Sequence, residues 1–199
     1  KAAAAARGFG FEMELLTPSE ALALYPLLST DGLVGALFIA NDGHADPYSL
    51  TQALAKGVRM HGGRIFENTQ VTEFTREGSR ITHVVTDQGA IEAEDVVNAA
   101  GPWVESLLHG PLALQDTEGV RLVKGRHIVA PRLFEGAHAY ILQHTDRRVV
   151  FVMPFEGDFS LIGTTDVVLS GAPEEAAIEA AETAYLCQVV NSYFKASVQ

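Results

Sequence analysis

The stretch Val96–Trp103, VVNAAGPW, constrains this chain more than any other. A short apolar run stops at Asn98, and Ala99, Ala100 and Gly101 follow with almost no side chain. The pattern predicts a buried strand over Ala90–Asn98 that ends in a tight turn. Small residues there let another backbone or a flat ligand come close. On the turn alone two readings stand open: an ordinary strand-to-helix connection, or the edge of a cofactor site.

The flanking sequence supplies an α/β setting, mixed with α+β character. Upstream, Phe9–Leu16 alternates as a strand, and Thr17-Pro18-Ser19-Glu20 is a helix start with a capping box. Pro26 keeps that helix short, and Leu33–Ala40 is an apolar strand. Asp46-Pro47 opens a second helix, Pro47–His61, with Leu50, Leu54 and Val58 as its expected buried stripe. Gly62-Gly63 ends it. Strands are expected at Arg64–Glu67, Val71–Arg76 and Arg80–Thr86. Downstream, Val120–Ala130, Ala139–His144, Arg148–Pro154 and Phe159–Gly163 alternate and are rich in β-branched residues. A long helix is expected over Pro173–Phe194, acidic at its start and followed by Lys195, as suits the helix dipole.

Composition narrows the function. The net charge is -11 and no Lys/Arg stripe offsets it, which argues against nucleic acid as a partner. With 47% hydrophobic and 20% charged residues the chain reads as globular, and no apolar run approaches the ~20 residues of a bilayer span. The one cysteine, Cys187, rules out an internal disulfide and fits a reducing compartment, so a cytoplasmic location is expected. The seven histidines are scattered without metal-ligand spacing, so no metal is expected. No GxGxxG opens a βαβ unit, so the usual dinucleotide phosphate loop is missing from this sequence. The start at Lys1 and the stop just after a helical pattern read as a piece of a longer protein.

Two further constellations carry chemistry. In Arg121–His127 (RLVKGRH), alternation puts Arg121, Val123, Gly125 and His127 on one face and Leu122, Lys124 and Arg126 on the other. The glycine signals a bulge or a close approach. Three cations and a histidine in an acidic chain suit a phosphate or carboxylate, with His127 placed for proton transfer. The competing reading is a solvated edge strand with positive gatekeepers. In Ile162–Asp166 (IGTTD), the hydroxyls of Thr164 and Thr165 bind a ligand or cap backbone amides, and capping is the simpler reading.

From about Asp95 onward, VVNAAGPWV, GVRLVKGRHIV, AYILQ and RRVVFVMPFEGDFSLIGTTDV follow in an order and at a spacing similar to FAD-dependent glycerol-3-phosphate dehydrogenases. These belong to the D-amino-acid-oxidase-like family of FAD-dependent oxidoreductases. LTPSEALALYPLL and GALFIANDGHADPYSLTQALAKGVRMHGGRI resemble the dimethylglycine/sarcosine dehydrogenase branch instead, so the two halves resemble different branches. The resemblance implies FAD as cofactor, with Val71 near the adenine, Ala99, Ala100 and Gly101 along the ribose and pyrophosphate, and Trp103 packing behind.

It also implies a small anionic substrate held by Lys124, Arg126 and Thr165, His127 as the base, and a quinone as electron acceptor. Residues 1–45 and 110–199 would belong to a substrate domain and 46–109 to an FAD-binding domain. Arg126 departs from the small residue often found before this histidine. Peripheral association with the inner face of a membrane is compatible with the resemblance, although no basic amphipathic helix supplies an anchor. The alternatives are amine oxidation of the dimethylglycine/sarcosine type, or a non-catalytic domain that binds no FAD.

Overall fold

A computed structural model describes residues 12–115, 119–195 and 197–199. The chain divides into two compact units. The first combines Lys1–Ala45, Val123–Val167 and Ala177–Gln199, and the second combines Asp46–Leu122 and Val168–Ala176.

In the first unit, strands β1 (Glu14–Leu16) and β2 (Ala36–Phe38) pair antiparallel. Residues 9–11 of the expected first strand lie outside the described residues. Helix α1 (Pro18–Leu24) has the expected capping box: Glu20 N donates to Thr17 Oγ1 at 3.4 Å and Thr17 N donates to Glu20 Oε2 at 2.8 Å. The expected strand Leu33–Ala40 shrinks to its middle, because β1 offers only three residues to pair with it.

The larger sheet holds four antiparallel strands in the order β7 (His127–Pro131), β10 (Phe159–Gly163), β9 (Val149–Phe155) and β8 (Tyr140–Gln143). Period-2 alternation divides each strand between two faces. Ala130, Ile162, Val150, Val152, Tyr140 and Leu142 point inward and join one core with Leu186, Val189, Val190 and Phe194. The last four come from helix α4 (Ala180–Tyr193) and its C-cap. Val129, Phe159, Phe151, Phe155 and Ile141 share the opposite face and stay between 37 and 57% exposed.

Two further expectations fail for visible reasons. The strand expected over Val120–Ala130 is broken into β6 (Val123–Lys124) and β7, with Gly125-Arg126 between them. The helix expected from Pro173 begins only at Ala180, since Ala176 at the end of a short 3-10 turn is extended. Just past the helix, Lys195 donates its backbone N–H to Leu27 O at 2.9 Å and its Nζ to Pro26 O at 2.9 Å. Beside it Leu28 and Phe194 form an isolated antiparallel bridge.

The second unit contains helix α2 (Pro47–Met60), the meander β3 (Val71–Glu77), β4 (Arg80–Thr86) and β5 (Gly89–Glu92), and the short helix α3 (Val104–His109). Asp46 caps α2, accepting from the backbone N–H groups of Tyr48 and Ser49 at 3.0 and 3.2 Å. The expected buried stripe is not buried. Leu50, Leu54 and Val58 are 52, 65 and 45% exposed, so the amphipathic pattern exists without a described segment covering it. Arg64–Glu67 forms no strand. The strand expected over Ala90–Asn98 ends at Glu92, and Val97 is 86% exposed. β5 is the outer strand of the meander, and past Ala93, whose N–H reaches Thr82 O, no strand among the described residues continues the ladder. Among the described residues no helix is long and apolar enough to cross a membrane.

Candidate active site

In the second unit the small-residue turn is held by Asn98. Its Oδ1 accepts from Ala100 N at 3.2 Å, and its Nδ2 donates to Val104 O at 3.2 Å. One side chain thus clamps both ends of a bend that has no side chains of its own to pack. Gly101 has φ +55°, a conformation that favours glycine, and it opens a 3-10 turn through Trp103. A side chain at 101 would meet nothing within 4 Å, so the outer flank of the turn is open backbone.

Trp103 donates its indole N–H to the Glu174 carboxylate, leaving the ring 46% exposed. Glu174 is held below the usual carboxylate range by its own backbone N–H and then by that indole. Beside them lies a groove of about 390 Å³ lined by Pro102, Trp103, Ser106, Leu122 and Pro173. Val71 is half-buried at the start of β3, opposite Thr86. An open small-residue turn next to an exposed indole fits a flat, extended cofactor. Among the described residues no group of His, Cys, Asp and Glu is placed to hold a metal ion.

In the first unit the structure gathers Lys124, Arg126, His127 and Thr165 around the break between β6 and β7. Burial alternates through it: Lys124 is 8% exposed, Arg126 and Ile128 are half-buried, and Val123, His127 and Val129 are exposed. The solvated-edge reading therefore fails for Lys124. Its Nζ lies 2.8 Å from Glu182 Oε2, 3.0 Å from Glu179 Oε1 and 2.9 Å from Ala177 O. An ammonium has three donors, and all three are met by the chain itself. The bonds from Glu182 and then Glu179 push the Lys124 pKa up. Lys124 reciprocally holds the Glu182 carboxyl below its usual range. The expectation that Lys124 grips a substrate gives way to an internal ion pair.

Thr165 is 2% exposed and serves the same break. Its Oγ1 accepts from Arg126 N at 3.0 Å, and its own N–H donates to Arg126 O at 3.2 Å. Its hydroxyl also contributes to the lowered pKa of Glu182. This is the capping reading of the TTD segment, with the capped amide next in sequence to His127. Thr164 Oγ1 would stand 2.5 Å from any Cβ at Gly125, so the break is also a close approach.

His127 stands on the open face of the sheet, directly across from Gly163 in the β7–β10 register. Partial burial of its ring lowers its pKa from the ordinary histidine value. At neutral pH the imidazole is therefore mainly the uncharged form, which takes up a proton. Glu179 and Glu182 are the functional residues that pattern reading missed. Their i, i+3 spacing was legible, but it reads as helix-dipole acids until Lys124 is seen against them.

The open small-residue turn thus lies in the second unit and the strand-borne imidazole in the first. The chain belongs to the FAD dependent oxidoreductase family, whose sequence model matches residues 1–199. It is 41% identical over 162 residues to the glycerol-3-phosphate dehydrogenase of Pseudomonas aeruginosa, covering 79% of this chain and 32% of that protein. It is 39% identical over 163 residues to the D-erythritol 1-phosphate dehydrogenase of Brucella abortus, with the same coverage of 79 and 32%. The chain thus spans about a third of the length of the curated relatives it matches. Among solved structures, L-alpha-glycerophosphate oxidase from Mycoplasma pneumoniae with FAD bound aligns at TM-score 0.65 and 17% identity, covering 92% of this chain and 48% of that one. Glycine oxidase from Bacillus cereus aligns at TM-score 0.70 and 20% identity, covering 97 and 50%. These likenesses establish the fold.

Proposed function

We propose that the protein takes part in the FAD-dependent oxidation of a small polyol phosphate, with sn-glycerol 3-phosphate as substrate and dihydroxyacetone phosphate as product. The observation that carries this reading is the position of the His127 imidazole, held on an open sheet face one residue from an internally clasped amide, with burial lowering its pKa. A secondary alcohol must lose its hydroxyl proton as it becomes a ketone, and His127 accepts that proton. Bound FAD supplies the acceptor for the two electrons of the adjacent C–H bond. Ala99, Ala100, Gly101 and Trp103 offer the open turn for the cofactor, and Val71 is carried as a further contact. Lys124 and Thr165 act by fixing the strand break on which His127 sits. Arg126 is the cation carried for the anionic substrate group.

The relatives' names support a polyol phosphate, and 39% identity to an erythritol-phosphate enzyme, beside 41% to a glycerol-phosphate enzyme, widens the class beyond glycerol. A quinone is the proposed electron acceptor after the flavin.

The test is flavin reduction followed by stopped-flow in the FAD-loaded protein. Glycerol 3-phosphate should bleach the flavin and sarcosine should not. His127→Ala should slow bleaching by about 10²–10⁴-fold while FAD content stays at the parent level. Bleaching by sarcosine alone, or equal loss of rate and FAD, would overturn the reading.

A further inference from the structure

A general base is usually aimed by a hydrogen bond to its second nitrogen. Among the described residues, His127 has no such partner. No charged side chain shifts its pKa, burial being the whole cause. Something other than a carboxylate holds the ring in place.

The β7–β10 register sets Gly163 opposite His127 and Phe151 on its other side. A Cβ built on Gly163 would stand 2.3 Å from His127 Cδ2, 2.6 Å from Cγ and 2.9 Å from Nε2. Those three nearest atoms all belong to one imidazole. Gly163 is buried although it faces the open side of the sheet. Its φ lies outside the left-handed region that L side chains rarely adopt.

We propose that Gly163 is a positioning residue for His127, its missing side chain forming the seat on which the imidazole lies. This rests on His127 being the base. An alanine at 163 would force the ring outward by about 1 Å to reach ordinary contact distance, and displacements of that size at a reacting group cost on the order of 10²-fold in rate.

The experiment is a double-mutant cycle on the FAD-loaded protein with Gly163→Ala, His127→Ala and the pair together. Gly163→Ala is expected to lower the rate of flavin reduction by glycerol 3-phosphate about 10- to 100-fold, with KM and FAD content within about twofold. In the His127→Ala background, Gly163→Ala should lower the rate no further. The melting-temperature loss it causes alone should largely vanish there, since the ring it strikes is gone. If Gly163→Ala alone does not fold but the double variant does, the clash with the ring is established. Parent rates in Gly163→Ala, additive losses in the double variant, or a double variant that also fails to fold would each overturn the proposal. If His127→Ala itself reduces flavin normally, the base reading falls. The melting-temperature cycle then still reports whether ring and glycine pack together.

Discussion

Lys124 Nζ and Glu182 Oε2 meet at 2.8 Å with both side chains more than nine-tenths buried. A charge this sheltered is costly without its partner, whereas removing both charges together is often tolerated. The pair therefore does more to fix a geometry than to add stability. That geometry is the broken strand before His127. Lys124→Met and Glu182→Gln are each expected to lower the melting temperature by about 5–10 °C, and the double variant by less than their sum. Thermal unfolding followed by circular dichroism checks this. Strict additivity would show that the two groups act independently.

The hairpin between β8 and β9 should make stability sensitive to acid. Side-chain and backbone hydrogen bonds with Arg148 lower the Asp146 pKa to about 2. The guanidinium donates at 2.7 Å and also lies over the Tyr185 ring, 3.8 Å from its centroid. A carboxyl whose pKa is depressed in the folded state binds fewer protons there than when unfolded. Its contribution is complete above the ordinary carboxylate range and is lost as pH falls from about 4 towards 2. Acid titrations of the parent and Asp146→Asn should therefore converge below about pH 2 and diverge above about pH 4. Parallel curves throughout would contradict this.

Ile162 is fully buried between Ile128 and Val152 in the sheet register. Ile162→Val should cost about 0.5–1.5 kcal/mol and Ile162→Ala about 2–5 kcal/mol in urea denaturation. Similar costs for both would mean that the site collapses around the cavity.

Asn98 clamps the small-residue turn with two hydrogen bonds that alanine cannot make. Asn98→Ala is expected to weaken FAD retention by about tenfold, on the order of one hydrogen bond's net worth. Equilibrium dialysis against FAD measures it. Unchanged retention would move the cofactor away from this turn.

Elements with a local cause were legible in the sequence. Thr17-Pro18-Ser19-Glu20 and Asp46-Pro47 start helices because their side chains satisfy amides within three residues. Arg80–Thr86 and Phe159–Gly163 are strands over their whole expected lengths. Errors arose where a distant segment decides. Among the described residues Val97 has strand character but no partner strand, and Leu50 has helical periodicity but no covering surface. Lys124 reads as a ligand for anions until Glu179 and Glu182 arrive from 55 residues or more away. The Gly163 seat was invisible for the same reason: the two strands that form it are joined by register and not by sequence.

The bridge from Leu28 to Phe194, with Lys195 bonded back to Pro26, sets a timetable for synthesis. The first unit draws its core from segments near both ends of this sequence, so most of that core is long-range contact. Local pieces such as α1 can form early, but the sheet gains its covering helix only after Val190 and Phe194 have left the ribosome. Until then Val150, Val152 and Ile162 lack their lid. Slow translation or a pause within this stretch should favour chaperone capture of the nascent chain.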